Sequence, residues 1–316
     1  MIIVVSHPAD AHGNQVVARL VRQGADVVVF DTSAFPRDVG LTVDQPSADR
    51  WTAAARIDGQ IRDLTEARVV WWRRPLPFRL HDELTGQEDR AFAYGESHAA
   101  IAGLWSSLDA LWVNDPERDQ VASRKMTQLK RASSLGLRVP RTCITNDPEA
   151  AASFIEREGR DRVVYKSFSA TEQSWRETRV LRENESALLE NVRFAPVIFQ
   201  EFIPAAVDVR ITIVGDEVFP AAVRSQETRY PHDFRMDLET AQIEPHQLPT
   251  EVTAGLRALM ASFGIVYGAI DMRLTPDGEY VFLEVTPSGQ WLFVEVRTGQ
   301  PITDAVVGYL AAHGVS

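Results

Sequence analysis

Residues 269–286 read Ala269-Ile270-Asp271-Met272-Arg273-Leu274-Thr275-Pro276-Asp277-Gly278-Glu279-Tyr280-Val281-Phe282-Leu283-Glu284-Val285-Thr286. Two apolar-rich runs flank a turn signal, Pro276-Asp277-Gly278-Glu279, which predicts a β-hairpin. If Asp277-Gly278 is a two-residue loop, Pro276 faces Glu279, and counting back sets Asp271 opposite Glu284. Cross-strand partners have Cβ atoms about 4.5–5.5 Å apart on one face, so two like charges there repel. A divalent cation turns that repulsion into a binding site, and Mg2+ takes one or two carboxylates together with substrate phosphates. Thr286, two residues on, shares the face of Glu284. The competing reading is a solvated hairpin with two incidental acids, and a longer turn would shift the register.

Outward from this hairpin, the second half of the chain mixes antiparallel strands with helices. Arg210 to Val214 and Val218 to Val223 flank Gly215-Asp216, a second hairpin signal. Strands are expected at Thr142 to Thr145, Val163 to Lys166 and Val197 to Phe202. Helices are expected over Glu117 to Leu135, from Pro148 with Asp147 as its cap, over Thr250 to Phe263 and over Ile302 to Ala312. That mixture is an α+β pattern. The first hundred-odd residues alternate instead. Apolar strands at Ile2 to Val5, Val27 to Phe30, Val69 to Trp72 and Leu111 to Val113 enclose helical patterns near Val16 to Val21 and Asp82 to Leu108, an α/β pattern with a parallel sheet. Asn114-Asp115-Pro116 marks a turn and a domain boundary.

Composition sets the outer limits. The 316 residues are 45% hydrophobic and 24% charged, which excludes collagen-like and disordered classes. With 33 basic against 44 acidic residues, a formal charge of −11 argues against a general grip on nucleic acid or an anionic membrane. The single cysteine, Cys143, permits no internal disulfide and reads as a small buried hydrophobe in a reducing compartment. No basic n-region precedes the first strand and no apolar run reaches about 18 residues. A cytoplasmic location is expected. The turn after the first strand contains one glycine and lacks a phosphate-loop pattern, and His7 and His12 there have no metal-ligating companions in the sequence.

The basic residues are nearly all arginine, so the three lysines, Lys125, Lys130 and Lys166, stand out. Lys166 ends the run Val163-Val164-Tyr165-Lys166 and precedes Ser167-Phe168-Ser169-Ala170-Thr171, short residues suited to a loop over phosphates. Lys125 lies on the helix that opens the second half. A lysine ammonium is a compact charge that reaches phosphates without fork geometry; solvated surface lysines are the plainer alternative. Gln200-Glu201-Phe202-Ile203-Pro204 runs from an apolar strand into an extended linker, whose backbone groups suit an adenine edge. In Asp208-Val209-Arg210 the carboxylate suits ribose hydroxyls, and the guanidinium can meet a phosphate or carboxylate with two parallel bonds.

Taken in order, Lys125, Lys166, Gln200 to Ile203, Asp208-Val209-Arg210, Phe234-Arg235, Asp271 and Glu284-Val285-Thr286-Pro287-Ser288-Gly289 resemble the ATP-grasp carboxylate–amine ligases over about residues 115–300. Within them the chain is most similar to the ribosomal-peptide maturases that cyclise graspetides of the microviridin type. Trp71-Trp72-Arg73-Arg74-Pro75, Val113-Asn114-Asp115-Pro116, Thr145-Asn146-Asp147-Pro148 and Pro287-Ser288-Gly289-Gln290-Trp291 carry that narrower likeness.

The resemblance implies a pre-ATP-grasp α/β domain over 1–115, a central ATP-grasp subdomain over 116–203 and a C-terminal subdomain with the Mg-ATP site over 204–316. It implies that Lys125 and Lys166 hold ATP phosphates and that Gln200, Glu201, Phe202 and Ile203 lie along the adenine. Asp208 would meet the ribose, Arg210 and Arg235 would stabilise the γ-phosphate and acyl-phosphate, and Asp271, Glu284 and Thr286 would hold Mg2+. The family pattern has Asn where Thr286 stands, and a shorter hydroxyl there points to a weaker or water-mediated second metal. The implied reaction activates Asp or Glu side chains of a ribosomal precursor peptide with ATP and closes ester or amide rings. Arg224 and Arg229 join Arg210 and Arg235 as a basic patch for that acidic peptide. A homodimer is implied, with neither nucleic acid nor membrane as partner. The rivals are a RimK-like amino-acid ligase and an ATP-binding protein with reduced catalysis.

Overall fold

The computed structural model describes residues 1–48, 50–168, 179–181, 183–228, 237 and 239–314, with the backbone alone at 183–188. In chain order the first elements are β1 (Ile2–Val5), α1 (Ala11–Arg22), β2 (Val27–Phe30), β3 (Gly40–Ser47), β4 (Arg50–Ile57), β5 (Gln60–Asp63), β6 (Val69–Trp72), α2 (Gln87–Ser107), β7 (Leu111–Val113) and α3 (Pro116–Ala122). Next come α4 (Lys125–Ser134), β8 (Thr142–Thr145), α5 (Pro148–Glu158), β9 (Val163–Lys166), β10 (Arg179–Val180), β11 (Val197–Glu201), β12 (Val207–Val214) and β13 (Glu217–Val223). The chain closes with β14 (Ile243–Pro245), α6 (Thr250–Phe263), β15 (Tyr267–Leu274), β16 (Tyr280–Thr286), α7 (Leu292–Thr298) and α8 (Ile302–Gly314).

The chain divides, with boundaries that fall inside α3 and β15, into two compact units, Met1–Asp119 with Ile265–Tyr267 and Pro301–Ser316, and Gln120–Gly264 with Gly268–Gln300. The first is built on a parallel sheet of order β2-β1-β6-β7, whose continuous apolar strands are buried as such strands require. Asp10 caps α1: its carboxylate accepts from the Gly13 amide (3.1 Å), the Ser6 hydroxyl (2.9 Å) and Arg73 Nε (3.2 Å). Arg73 is 1% exposed, so this carboxylate neutralises a guanidinium inside the unit. Burial opposes ionisation of Asp10, but His12, Arg73 and Ser6 together hold the carboxyl far below the usual range. The closing helix α8, grouped by the sequence with the C-terminal subdomain, packs on α1 and β6 in this unit, with Asp304 paired to Arg19. Asn114 stitches in the short 265–267 segment, accepting from the amides of Val266 (2.8 Å) and Tyr267 (2.9 Å) and donating to the Tyr267 carbonyl (2.9 Å).

An antiparallel sheet, β3-β4-β5, also belongs to the first unit. Only Ala53 and Ala55 of β4 are fully buried there, and β3 is almost wholly exposed, so the segment carries no apolar stripe to announce it.

The second unit holds two antiparallel sheets, β10-β9-β11-β8 and β14-β13-β12-β15-β16. One face of the four-stranded sheet, with Val163 and Phe199, packs under Ala151, Phe154 and Ile155 of α5. Asp147 caps α5 through the Glu149 amide (2.9 Å), and Pro148 occupies its first turn, as expected. The predicted Glu117 to Leu135 helix is in fact two, α3 and α4, broken at Ser123-Arg124. That break puts Lys125 at the first residue of α4.

Candidate functional site

The last hairpin does bring Asp271 opposite Glu284, though not by the count that predicted it. Near the turn Leu274 pairs Tyr280 and Met272 pairs Phe282, one residue out of that register. The loop is longer than two residues: Thr275 N–H bonds Glu279 O (2.9 Å), Gly278 N–H bonds Thr275 O (3.0 Å), and Gly278 takes φ +88°, which suits glycine. A β-bulge after Asp271, with Leu283 as the extra residue, then restores the pairing. It also lets Phe282 and Val285, three residues apart, both face the core. Thr286 pairs with Ala269 on the face of Glu284.

Each carboxylate already meets a cation. Arg210 Nη1 lies 2.8 Å from Asp271, and Lys125 pairs with Glu284. Arg210 also donates to the Gln290 carbonyl (2.9 Å), and its buried Nε has no partner among the described residues. Gly289 makes room for this arrangement: a Cβ there would lie 2.3 Å from the Ala269 Cβ and 3.0 Å from Arg210 Nη2.

Two residues along each strand, the pattern repeats in reverse. Arg273 Nε donates to Asp208 (2.9 Å) and Arg273 Nη1 to the Ile203 carbonyl (2.7 Å), while Ser225 donates to the other oxygen of Asp208. Two Asp-x-Arg tripeptides, 208–210 and 271–273, thus meet head to tail on neighbouring strands β12 and β15. Asp208, expected to meet a ribose, has both oxygens engaged inside the protein, and burial pushes its carboxyl up against the pull of Arg273 and Ser225. Its observed work is to anchor Arg273, which the sequence reading passed over although the repeated tripeptide signals it.

The four-stranded sheet carries the other expected residues. Lys166 is half-buried opposite Ile198, on the face that also carries Val164 and Gln200 and lies away from α5. Gln200 donates to the Thr142 hydroxyl (2.9 Å). Glu201, expected along the adenine, has a buried carboxylate that accepts from the Arg141 amide (3.2 Å) and pairs with the Arg141 guanidinium (3.1 Å). Phe202 lies beneath the Arg273 guanidinium, 5.8 Å away, and Ile203 is buried. Pro204 has no N–H and Arg273 takes the carbonyl before it, so the linker presents the Ile203 N–H, which has no partner among the described residues.

Arg224 stands exposed just beyond β13, in an ion pair with Glu244 (2.7 Å). Arg229 and Arg235, and the phosphate-loop stretch from Ser169 to Thr171, lie outside the described residues. Among the described residues no group of three or more His, Cys, Asp or Glu side chains converges as a metal site. Two facing carboxylates are nonetheless the donor set that Mg2+ shares with nucleotide phosphates. The unpartnered Arg210 Nε is a buried donor suited to an anion beside them. The residues present therefore fit Mg-ATP.

The description "MvdD pre-ATP grasp domain" matches residues 1–120, and "RimK-like ATP-grasp domain" matches residues 118–310. The chain belongs to the RimK-like ATP-grasp family. Solved relatives extend over nearly the whole of it. Macrocyclase MdnC from Microcystis aeruginosa MRC, bound with precursor peptide MdnA, is 32% identical with a TM-score of 0.86, covering 98% of each chain. The RiPP-associated ATP-grasp ligase of Chryseobacterium gregarium, in complex with ADP and a leader and core peptide, is 26% identical with a TM-score of 0.89, covering 98% of this chain and 96% of that one. Macrocyclase MdnB from Microcystis aeruginosa MRC is 29% identical with a TM-score of 0.81, covering 98% of both. No curated protein matches the chain. This ATP-grasp ligase is an ATP-dependent carboxylate ligase, with the pre-ATP-grasp and ATP-grasp fold that its sequence implied. None of its described helices is long and apolar enough to cross a membrane.

Proposed function

We propose that the ligase cyclises a ribosomally made precursor peptide, joining Asp or Glu side chains to Ser or Thr hydroxyls as esters or to Lys amines as amides. The observation that carries this is the facing pair Asp271 and Glu284 with Arg210 and Lys125 upon them, a charged cluster suited to phosphoryl transfer. The likeness to macrocyclases bound with precursor peptides supports the substrate class.

In this reading Lys125 and Lys166 bind the phosphates of ATP, the co-substrate. Asp271 and Glu284, with Thr286 beside them, would hold Mg2+, which supplies positive charge against those phosphates when bound. A substrate carboxylate oxygen attacks the γ-phosphorus and ADP leaves, giving an acyl-phosphate. The hydroxyl or amine of the same peptide then attacks the acyl carbon, phosphate departs, and the proton of the nucleophile is lost to solvent. Arg210, fixed by Asp271 and the Gln290 carbonyl, turns its remaining N–H toward the charge that gathers on the transferred group. Arg235 is assigned a second guanidinium role beside it. The Ile203 N–H is assigned to the adenine edge, and Arg224 and Arg229 to the acidic core peptide.

Co-expression with a precursor peptide tests the reading by mass. The wild-type enzyme is expected to remove one water per ring in an ATP-dependent way, and Lys166→Ala or Glu284→Ala to abolish the loss. Full cyclisation by both variants would overturn it. A mass gain on the acceptor would select amino-acid addition of the RimK kind. Light scattering on the purified enzyme tests the homodimer.

A further inference from the structure

We infer that Gln128 is a positioning residue for the phosphate and metal end of the site, acting through Lys125; this rests on the assignment of Lys125 and Glu284 above. Gln128 is 0% exposed on α4 and spends its whole amide on backbone. Nε2 donates to the Val285 carbonyl (2.8 Å) and the Ala122 carbonyl (2.6 Å), and Oε1 accepts from the Val285 amide (3.1 Å).

Val285 lies between Glu284 and Thr286 on β16, the edge strand of its sheet. An edge strand leaves alternate N–H and C=O groups open. The Gln128 amide closes one such pair as a neighbouring strand would, and its third bond ties down the end of α3 across the Ser123-Arg124 break. Lys125 precedes Gln128 by three residues, one turn up the same side of the helix. Docking the amide on Val285 therefore fixes the height and rotation at which the ammonium meets Glu284, the residue next to Val285. A cation at a helix N-terminus is opposed by the helix dipole, so α4 would not hold Lys125 there unaided. Both the amide and the ammonium bind β16 at successive residues, which couples the phosphate-binding helix to the metal strand.

A double-mutant cycle on nucleotide binding tests the inference, with Kd for ADP measured by calorimetry with and without Mg2+ for wild type, Lys125→Ala, Gln128→Met and the double variant. Gln128→Met is expected to weaken ADP binding in Mg2+ by about tenfold or more, as loss of supporting partners does at metal sites. In the Lys125→Ala background the same change should add less than about twofold, because the two act as one unit. Equal cost in both backgrounds, or a lowered melting temperature with Kd unchanged, would overturn it. A Lys125→Ala variant with unchanged Kd would remove the Lys125 assignment and this inference together; a Lys125 effect without coupling removes this inference alone. Should Gln128→Met not fold, the isosteric Gln128→Glu keeps an acceptor for Val285 while losing both donors, and takes its place in the cycle.

Discussion

Asp271 and Glu284 lie opposite each other across β15 and β16, and each is matched by a different cation: Arg210 for the first, Lys125 for the second. The two pairs differ in depth. Arg210 and Asp271 are both buried, whereas Lys125 and Glu284 are partly open to solvent.

Neutralising the two acids should therefore separate stability from activity. Asp271→Asn leaves a buried guanidinium short of its counter-charge and should cost about 3–5 kcal/mol. Glu284→Gln breaks a more accessible pair and should cost about 1 kcal/mol or less. Both should lose ATP-dependent ADP release. Thermal unfolding and an ADP assay on the same samples check this, and equal melting temperatures would contradict the assigned depths.

Gly289→Ala should overpack the loop against β15, costing about 1–3 kcal/mol and displacing Arg210. Removing the opposing methyl group offers a direct rescue. Gly289→Ala combined with Ala269→Gly should regain most of the stability and some ADP release, and a double variant no better than the single would count against the contact.

Asp10 gives the first unit an acid-sensitive anchor. A carboxylate held below its unfolded value of about 3.9 contributes stability that is complete above that pH and is lost as pH falls through the folded value. Asp10→Asn should therefore be markedly less stable than wild type at neutral pH, with the gap closing below about pH 4. Denaturant titrations of both proteins from pH 7 to pH 3 read it; a gap constant with pH would refute it.

Arg224→Ala removes an exposed ion pair worth about 0–1 kcal/mol, so melting should hardly change. If Arg224 meets the acidic core peptide, KM for that peptide should rise while KM for ATP stays put, and added salt should shrink the difference. Unchanged peptide kinetics would assign Arg224 to its surface pair with Glu244 alone.

Much of the architecture is legible because apolar periodicity records burial. The four parallel strands of the first sheet, α5 with its cap, and α6 over Thr250–Phe263 fall where pattern and punctuation put them. The β3-β4-β5 sheet is invisible to that method, since β3 has scarcely any buried side chain and β4 buries alanine. Within the site, Asp271 opposite Glu284 was readable in outcome but not in cause: a longer loop and a one-residue bulge cancel, and neither has a strong signature. Gln128 was unreadable because nothing in a polar helical residue says that its amide will stand in for a strand. The Asp-x-Arg tripeptide is written twice, at 208–210 and 271–273, but only the structure shows that the two pair across neighbouring strands.

The return of α8 to the first unit has a consequence for how the protein is made. Its Gly314 end lies so close to Ile2 that an added Cβ would come within 2.6 Å of that side chain. Strand β1 thus waits for α8, made nearly 300 residues later, before its sheet is covered, although domains generally fold in order of synthesis. A fragment ending near residue 120 would expose the surface meant for Ile302, Val306 and Leu310, all buried in the finished protein. Cutting at the apparent domain boundary would therefore release an unfinished N-terminal half.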